Sequence, residues 1–145
     1  MRPHPYVRAY MAGIVVPTVV LLVAVVPLYV YFQFYFEVPS QFVVGLPGRP
    51  LERAIVFPMA VVPNAWGLWN MLHLALRSRV RLPLALHGAL LPLVLMPLGV
   101  LVARQFDFFG LQWQFVLPMV PIGMAAYYLA WKYLVAFLNA EVGIA

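Results

Sequence analysis

The sequence predicts an all-α integral membrane protein: a four-helix transmembrane bundle with proline-kinked helices, in one domain over residues 1–145. Three observations predict it. First, 66% of the residues are hydrophobic and 9% charged, where a typical soluble domain is about half apolar and about a quarter charged. Second, mean hydropathy is +0.95. Third, apolar runs long enough to cross a bilayer recur along the chain, with arginines collected between them. So little polar surface cannot cover a water-facing exterior. The bilayer is therefore the expected solvent, and soluble classes drop out.

The N-terminal arm is basic, with Arg2 and Arg8, and Pro3 and Pro5 discourage helix in it. The first helix is expected over about 10–36, more than the roughly 20 residues a span needs. Pro17 and Pro27 offer kinks that absorb the excess, and Tyr29, Tyr31, Phe32, Phe34, Tyr35 and Phe36 suit a membrane–water interface. Residues 37–53 form the longest connection, with a turn signal in Pro47-Gly48-Arg49-Pro50.

The second helix is expected over about 54–76. Pro58 falls in its tolerant first turn, and Pro63 in its interior removes one hydrogen bond. Arg77, Arg79 and Arg81 make a tight basic hairpin. The third helix is expected over about 82–103, with Pro92 and Pro97 inside, and the fourth over about 113–138, with Pro118 and Pro121 early in it. Lys132, near the end of that last helix, is expected to reach the interface along its own stem.

Four spans bring the N-terminal arm, the 77–81 hairpin and the C-terminus to one side. That side holds Arg2, Arg8, Arg77, Arg79, Arg81 and Lys132, against Arg49, Arg53 and Arg104 opposite. The excess assigns both termini to the cytoplasm. The net charge of +5 is accounted for by this anchoring, and no basic tract is long enough for nucleic acid. Phe32–Val44 resembles Arg104–Leu117, and Phe57–Pro63 resembles Leu117–Pro121, so the two helix pairs read as duplicated hairpins. Ala85 with Ala89, and Gly123, Ala126 and Ala130, give the small-residue spacing that lets helices approach.

Polar residues inside the spans are the candidate site. Trp66, Asn70, His73 and Arg77 follow spacings of four, three and four, which align on one helical face. Asn64 lies near the bilayer middle beside Pro63. Polar groups in hydrocarbon are costly, so this face should turn toward protein or toward a watery cavity. The plain structural alternative is hydrogen bonding between helices. His87, six residues after the hairpin, is the natural companion of His73, four before it. The pair suits an anionic site with Arg77, Arg79 and Arg81 around a headgroup, bis-histidine haem b, or a proton relay.

Absences narrow the function. There are no cysteines, which removes disulfides, thiolate metal sites and covalent c-type haem. No span is expected to carry a central Asp, Glu or Lys, and no Ser-His-Asp set, paired aspartates or HExxH motif occurs. An enzyme is not the expectation. The leading expectation is a protein, oligomeric in the membrane, that binds or translocates a small solute or lipid through a cavity lined by Asn64, Trp66, Asn70, His73 and His87. The alternative is a subunit of a larger respiratory or photosynthetic membrane complex that holds haem, quinone or pigment near the two histidines.

Overall fold

The computed structural model of the chain describes residues 3–35, 41–43, 46–48, 50–105 and 113–144. Helices dominate it. Three stretches, Pro5–Ala24, Leu84–Val102 and Met119–Glu141, are long and apolar enough to cross a membrane.

Helix α1 runs Pro5–Tyr35 and starts earlier than the sequence suggests. Pro5 opens the helix instead of opposing it, because a first-turn proline loses no hydrogen bond. Pro17 and Pro27 lie within the helix, which continues through both. Two short strands follow, β1 (Gln41–Val43) and β2 (Leu46–Gly48), paired antiparallel with Phe42 opposite Pro47. Helix α2 runs Pro50–Leu76, 27 residues, or about 40 Å at 1.5 Å per residue. That is span length, but Asn64, Asn70 and His73 dilute its apolar character.

The expected third helix is two helices, α3 (Leu84–Ala89) and α4 (Leu91–Gln105). The break falls at Leu90, two residues before Pro92, which has no N–H to give the Gly88 carbonyl. The turn tightens there, with Leu90 N bonded to His87 O at 3.2 Å. Pro97, by contrast, sits inside α4 without ending it.

The last stretch comprises α5 (Trp113–Val116), α6 (Met119–Ala130), a π-helical turn (Trp131–Val135) and α7 (Ala136–Glu141). Ala136 N–H reaches back five residues to Trp131 O. The chain then leaves the helix at Gly143 (φ 69°), with Gly143 N bonded to Ala140 O at 3.0 Å and Ile144 N to Asn139 O at 2.9 Å. This is a Schellman ending.

α1 packs chiefly along α2, and α6 along α3 and α4. The α1–α2 crossing is backbone to backbone: a β-carbon on Gly13 would lie 2.7 Å from Trp66 O and 2.8 Å from Gly67 Cα. The core gathers Val16, Trp66, Leu91, Leu95, Trp131 and Val135. Of the compared loop segments of the two hairpins, residues 36–40, 44 and 106–112 lie outside the described residues.

Candidate functional site

The inward face of α2 descends toward the arginine hairpin in the order the sequence gives. Trp66 and Asn70 are buried, His73 is half-buried and Arg77 is exposed. The face turns toward protein. Trp66 packs on Trp131 and Tyr127, with ring centroids 5.5 and 4.7 Å away. Asn70 Nδ2 donates to Ala9 O and to Asn139 Oδ1, each at 2.8 Å.

His73 and His87 meet across the hairpin, their ring centroids 5.0 Å apart. His87 is buried and belongs to a reciprocal contact with α2. Trp69 Nε1 donates to His87 O at 2.7 Å, and His87 Nε2 lies 3.2 Å from Trp69 O. A carbonyl only accepts, so Nε2 carries a proton and Nδ1 is left as the acceptor in the neutral ring. At the helix break the His87 carbonyl accepts twice, from Leu90 N in the tightened turn and from the Trp69 indole N–H, which uses both of its lone pairs. Trp131 closes the cluster from the third side, 6.3 Å from the His87 ring centroid. Its ring lies so close over Gly88 that no β-carbon fits there.

Asn64 does not join this group. At about 100° per residue it lies roughly 200° around the helix from Trp66. There its Nδ2 donates to Ala60 O at 2.6 Å, and its Oδ1 accepts from Tyr10 OH on α1. Trp66, Asn70 and His73 share one side of α2, where His87 of α3 meets His73 ring on ring and Asn139 meets Asn70 amide on amide.

Haem b between His73 and His87 would need each ring to present a nitrogen to one iron, with the macrocycle between them. The His87 ring is stacked on Trp69, 5.0 Å between centroids, and is flanked by His73 and Trp131, and its Nε2 faces a backbone carbonyl. These residues do not fit haem b in this arrangement. Among the described residues no cluster of three His, Asp or Glu side chains suits a metal ion.

A second constellation forms at the arginine end. Arg8 Nη1 donates to Val142 O at 2.6 Å and Gly143 O at 3.3 Å, and Arg77 Nη1 donates to Ile144 O at 3.0 Å. These bonds take up the three carbonyls that follow the last helix, at the end where cations are favoured. They hold the N-terminal arm, the 77–81 turn and the C-terminal segment at one end of the molecule. Arg79 and Arg81 are exposed beside them. An open groove of about 500 Å³ runs between α1 and the C-terminal turn, with Val7, Met11 and Val142 along it and Arg8 and Glu141 at its polar edge. Arg8 Nε has no hydrogen-bond partner among the described residues.

Sequence reasoning missed Asn139, Trp69, Trp131 and Arg8 as members of these two sites. One signal was available: Trp131, Val135 and Asn139 are four apart, the spacing of a shared face. The chain matches no protein-family model, no curated protein and no solved structure.

Proposed function

We propose that this chain is a four-span integral membrane protein that binds an anionic lipid headgroup at its arginine-rich end, with both termini cytoplasmic. α2 is the fourth span in this reading. The observation that carries it is the convergence of Arg8 and Arg77 on the last carbonyls of the chain, next to an apolar groove of about 500 Å³. Two donor contacts occupy only part of the Arg8 guanidinium, which has five N–H groups. Arg79 and Arg81 add exposed charge at the same end. A phosphate-bearing headgroup suits this edge, and its acyl chain suits Val7, Met11 and Val142. Glu141 opposes an anion in the groove, and Arg8 in the same lining offsets it.

The lipid reading is preferred to a solute path along Asn64, Trp66, Asn70, His73 and His87. Asn64 lies on another side of α2, and the remaining four are engaged with one another and with Trp69, Trp131 and Asn139.

Native mass spectrometry of the purified protein tests the proposal. Phosphatidylglycerol should remain bound where phosphatidylcholine is lost, and an Arg77/Arg79/Arg81→Ala variant should retain markedly less of it. Retention unchanged by the triple substitution overturns the reading.

A second reading rests on the 5.0 Å pairing of His73 with His87. His73 is half-buried and its ring is available to hydrogen-bond a quinone carbonyl at the edge of a larger complex. A quinone that co-purifies and is lost in His73→Ala supports that reading; a quinone-free preparation from native membranes removes it.

A further inference from the structure

Lys132 does not behave as an interfacial anchor. It lies in the Met119–Glu141 span, nine residues before Glu141, or about 14 Å along a helix. Its neighbour Trp131 packs against Trp66, which lies eleven residues, about 17 Å, before Arg77. Both measures put the Lys132 backbone about half-way through a hydrocarbon core of about 30 Å.

The side chain faces outward. Lys132, Tyr133 and Leu134 are all exposed, and only 11% of the Met119–Glu141 window is buried inside the protein. The ammonium sits over two rings of its own helix. Nζ lies 5.8 Å from the Tyr128 ring centroid and 5.2 Å from that of Tyr133. Tyr128 is one turn toward the helix N-terminus, deeper than Lys132 itself. Helical side chains lean in that direction, so reaching the arginine end would mean turning against the helix. Among the described residues its recorded partners are those two rings.

An ammonium at mid-depth on a lipid-facing surface is costly unless it is paired. The pairing group is a carboxylate, whose attraction is strong where the dielectric is low. The chain has four acidic residues, Glu37, Glu52, Asp107 and Glu141, and none lies in the middle of an apolar run. A second copy therefore has no mid-depth carboxylate to offer.

We propose that the face around Lys132 docks a transmembrane helix of a different protein that carries an aspartate or glutamate within its span. Leu129, Tyr133 and Phe137 are exposed at four-residue intervals beside Lys132 and give the apolar ridge for that helix to pack on. Tyr128 and Tyr133 hold the ammonium until the carboxylate takes it. This inference is independent of the lipid reading, since it uses a different face.

Energy transfer in phosphatidylcholine vesicles tests it. The cysteine-free chain takes a donor dye at Ser78→Cys. Acceptor-labelled leucine–alanine transmembrane peptides, identical except for a central Glu, Gln or Leu, serve as probes. The Glu peptide should associate at least tenfold more tightly than the Leu peptide. Lys132→Leu should erase that preference, Lys132→Arg should keep it, and Lys132→Glu should transfer it to a Lys-centred peptide. If the leucine variant misfolds, Lys132→Gln gives the same reading. Equal association of the Glu and Leu peptides with the unaltered protein overturns the proposal, as does a preference that survives loss of the lysine. Self-association without peptide that depends on Lys132 also overturns it, by assigning the face to a second copy.

Discussion

Asn70 and Asn139 bind each other through both ends of their amides: Asn70 Nδ2 lies 2.8 Å from Asn139 Oδ1, and Asn139 Nδ2 lies 3.2 Å from Asn70 Oδ1. Both residues are buried, 1% and 6% exposed. The pair ties α2 to α7, across 69 residues of sequence, and Asn70 adds a bond to Ala9 O on α1. Three helices are thus joined by one amide cluster in an apolar surround.

That cluster predicts strong non-additivity. Asn70→Leu or Asn139→Leu alone strands a buried amide, at a cost of about 1–3 kcal/mol. The double Leu variant removes both partners and should fall well short of the sum of the singles. Thermal unfolding in detergent measures the cycle. Additive single costs would show that the two amides do not depend on each other.

The glycines at close approaches predict a graded response. A β-carbon on Gly13 meets backbone of α2, which cannot move away, whereas one on Gly88 meets the Trp131 side chain. Gly13→Ala should therefore force α1 and α2 apart and cost about 1–3 kcal/mol. Gly88→Ala should displace the indole and register as a shift in tryptophan fluorescence as well as a lower Tm. A Gly13→Ala protein with unchanged Tm would contradict the backbone-to-backbone crossing.

The Trp69–His87 exchange predicts a smaller effect. Trp69→Phe keeps the ring against His87 and removes only the 2.7 Å bond to its carbonyl. A net cost of about 1 kcal/mol is expected, together with faster amide exchange around Leu90, where α3 passes into α4. Exchange that stays unchanged at Leu90 would mean that the indole bond does not hold the junction of α3 and α4.

The membrane character was legible because it rests on composition, which no packing detail overrides. The meeting of His73 and His87 was also legible, since a short hairpin fixes the register of its two arms. Asn64 was grouped with Trp66 by proximity in sequence, although helical geometry sets it on another side of α2. The break at Leu90 could not be read, because Pro17, Pro27 and Pro97 sit in unbroken helices while Pro92 follows a break. What differs at Pro92 is tertiary: the Trp69 indole N–H donates to the His87 carbonyl beside the break. The π turn was hidden for a similar reason. Residues four apart drift about 40° per step around an α-helix, and the wider turn at Trp131–Val135 offsets that drift, keeping Trp131, Val135 and Asn139 all buried.

Topology gives the last prediction, and the absence of cysteines makes it clean to measure. The bonds of Arg8 and Arg77 to the C-terminal carbonyls put the N-terminal arm, the 77–81 turn and residues 142–144 at one end. In the proposed topology the arginine excess puts that end in the cytoplasm. Single cysteines at His4, Ser78 and Glu141 should therefore react alike with a membrane-impermeant maleimide. All three should be protected in intact cells and labelled in inverted vesicles. A cysteine at Gln41, in β1 beyond the far end of α1, should give the opposite pattern. Labelling of Ser78→Cys and His4→Cys from different sides would exclude the four-span arrangement, and with it α2 as a membrane-crossing helix. Labelling of all three from outside would keep the four spans and reverse their orientation.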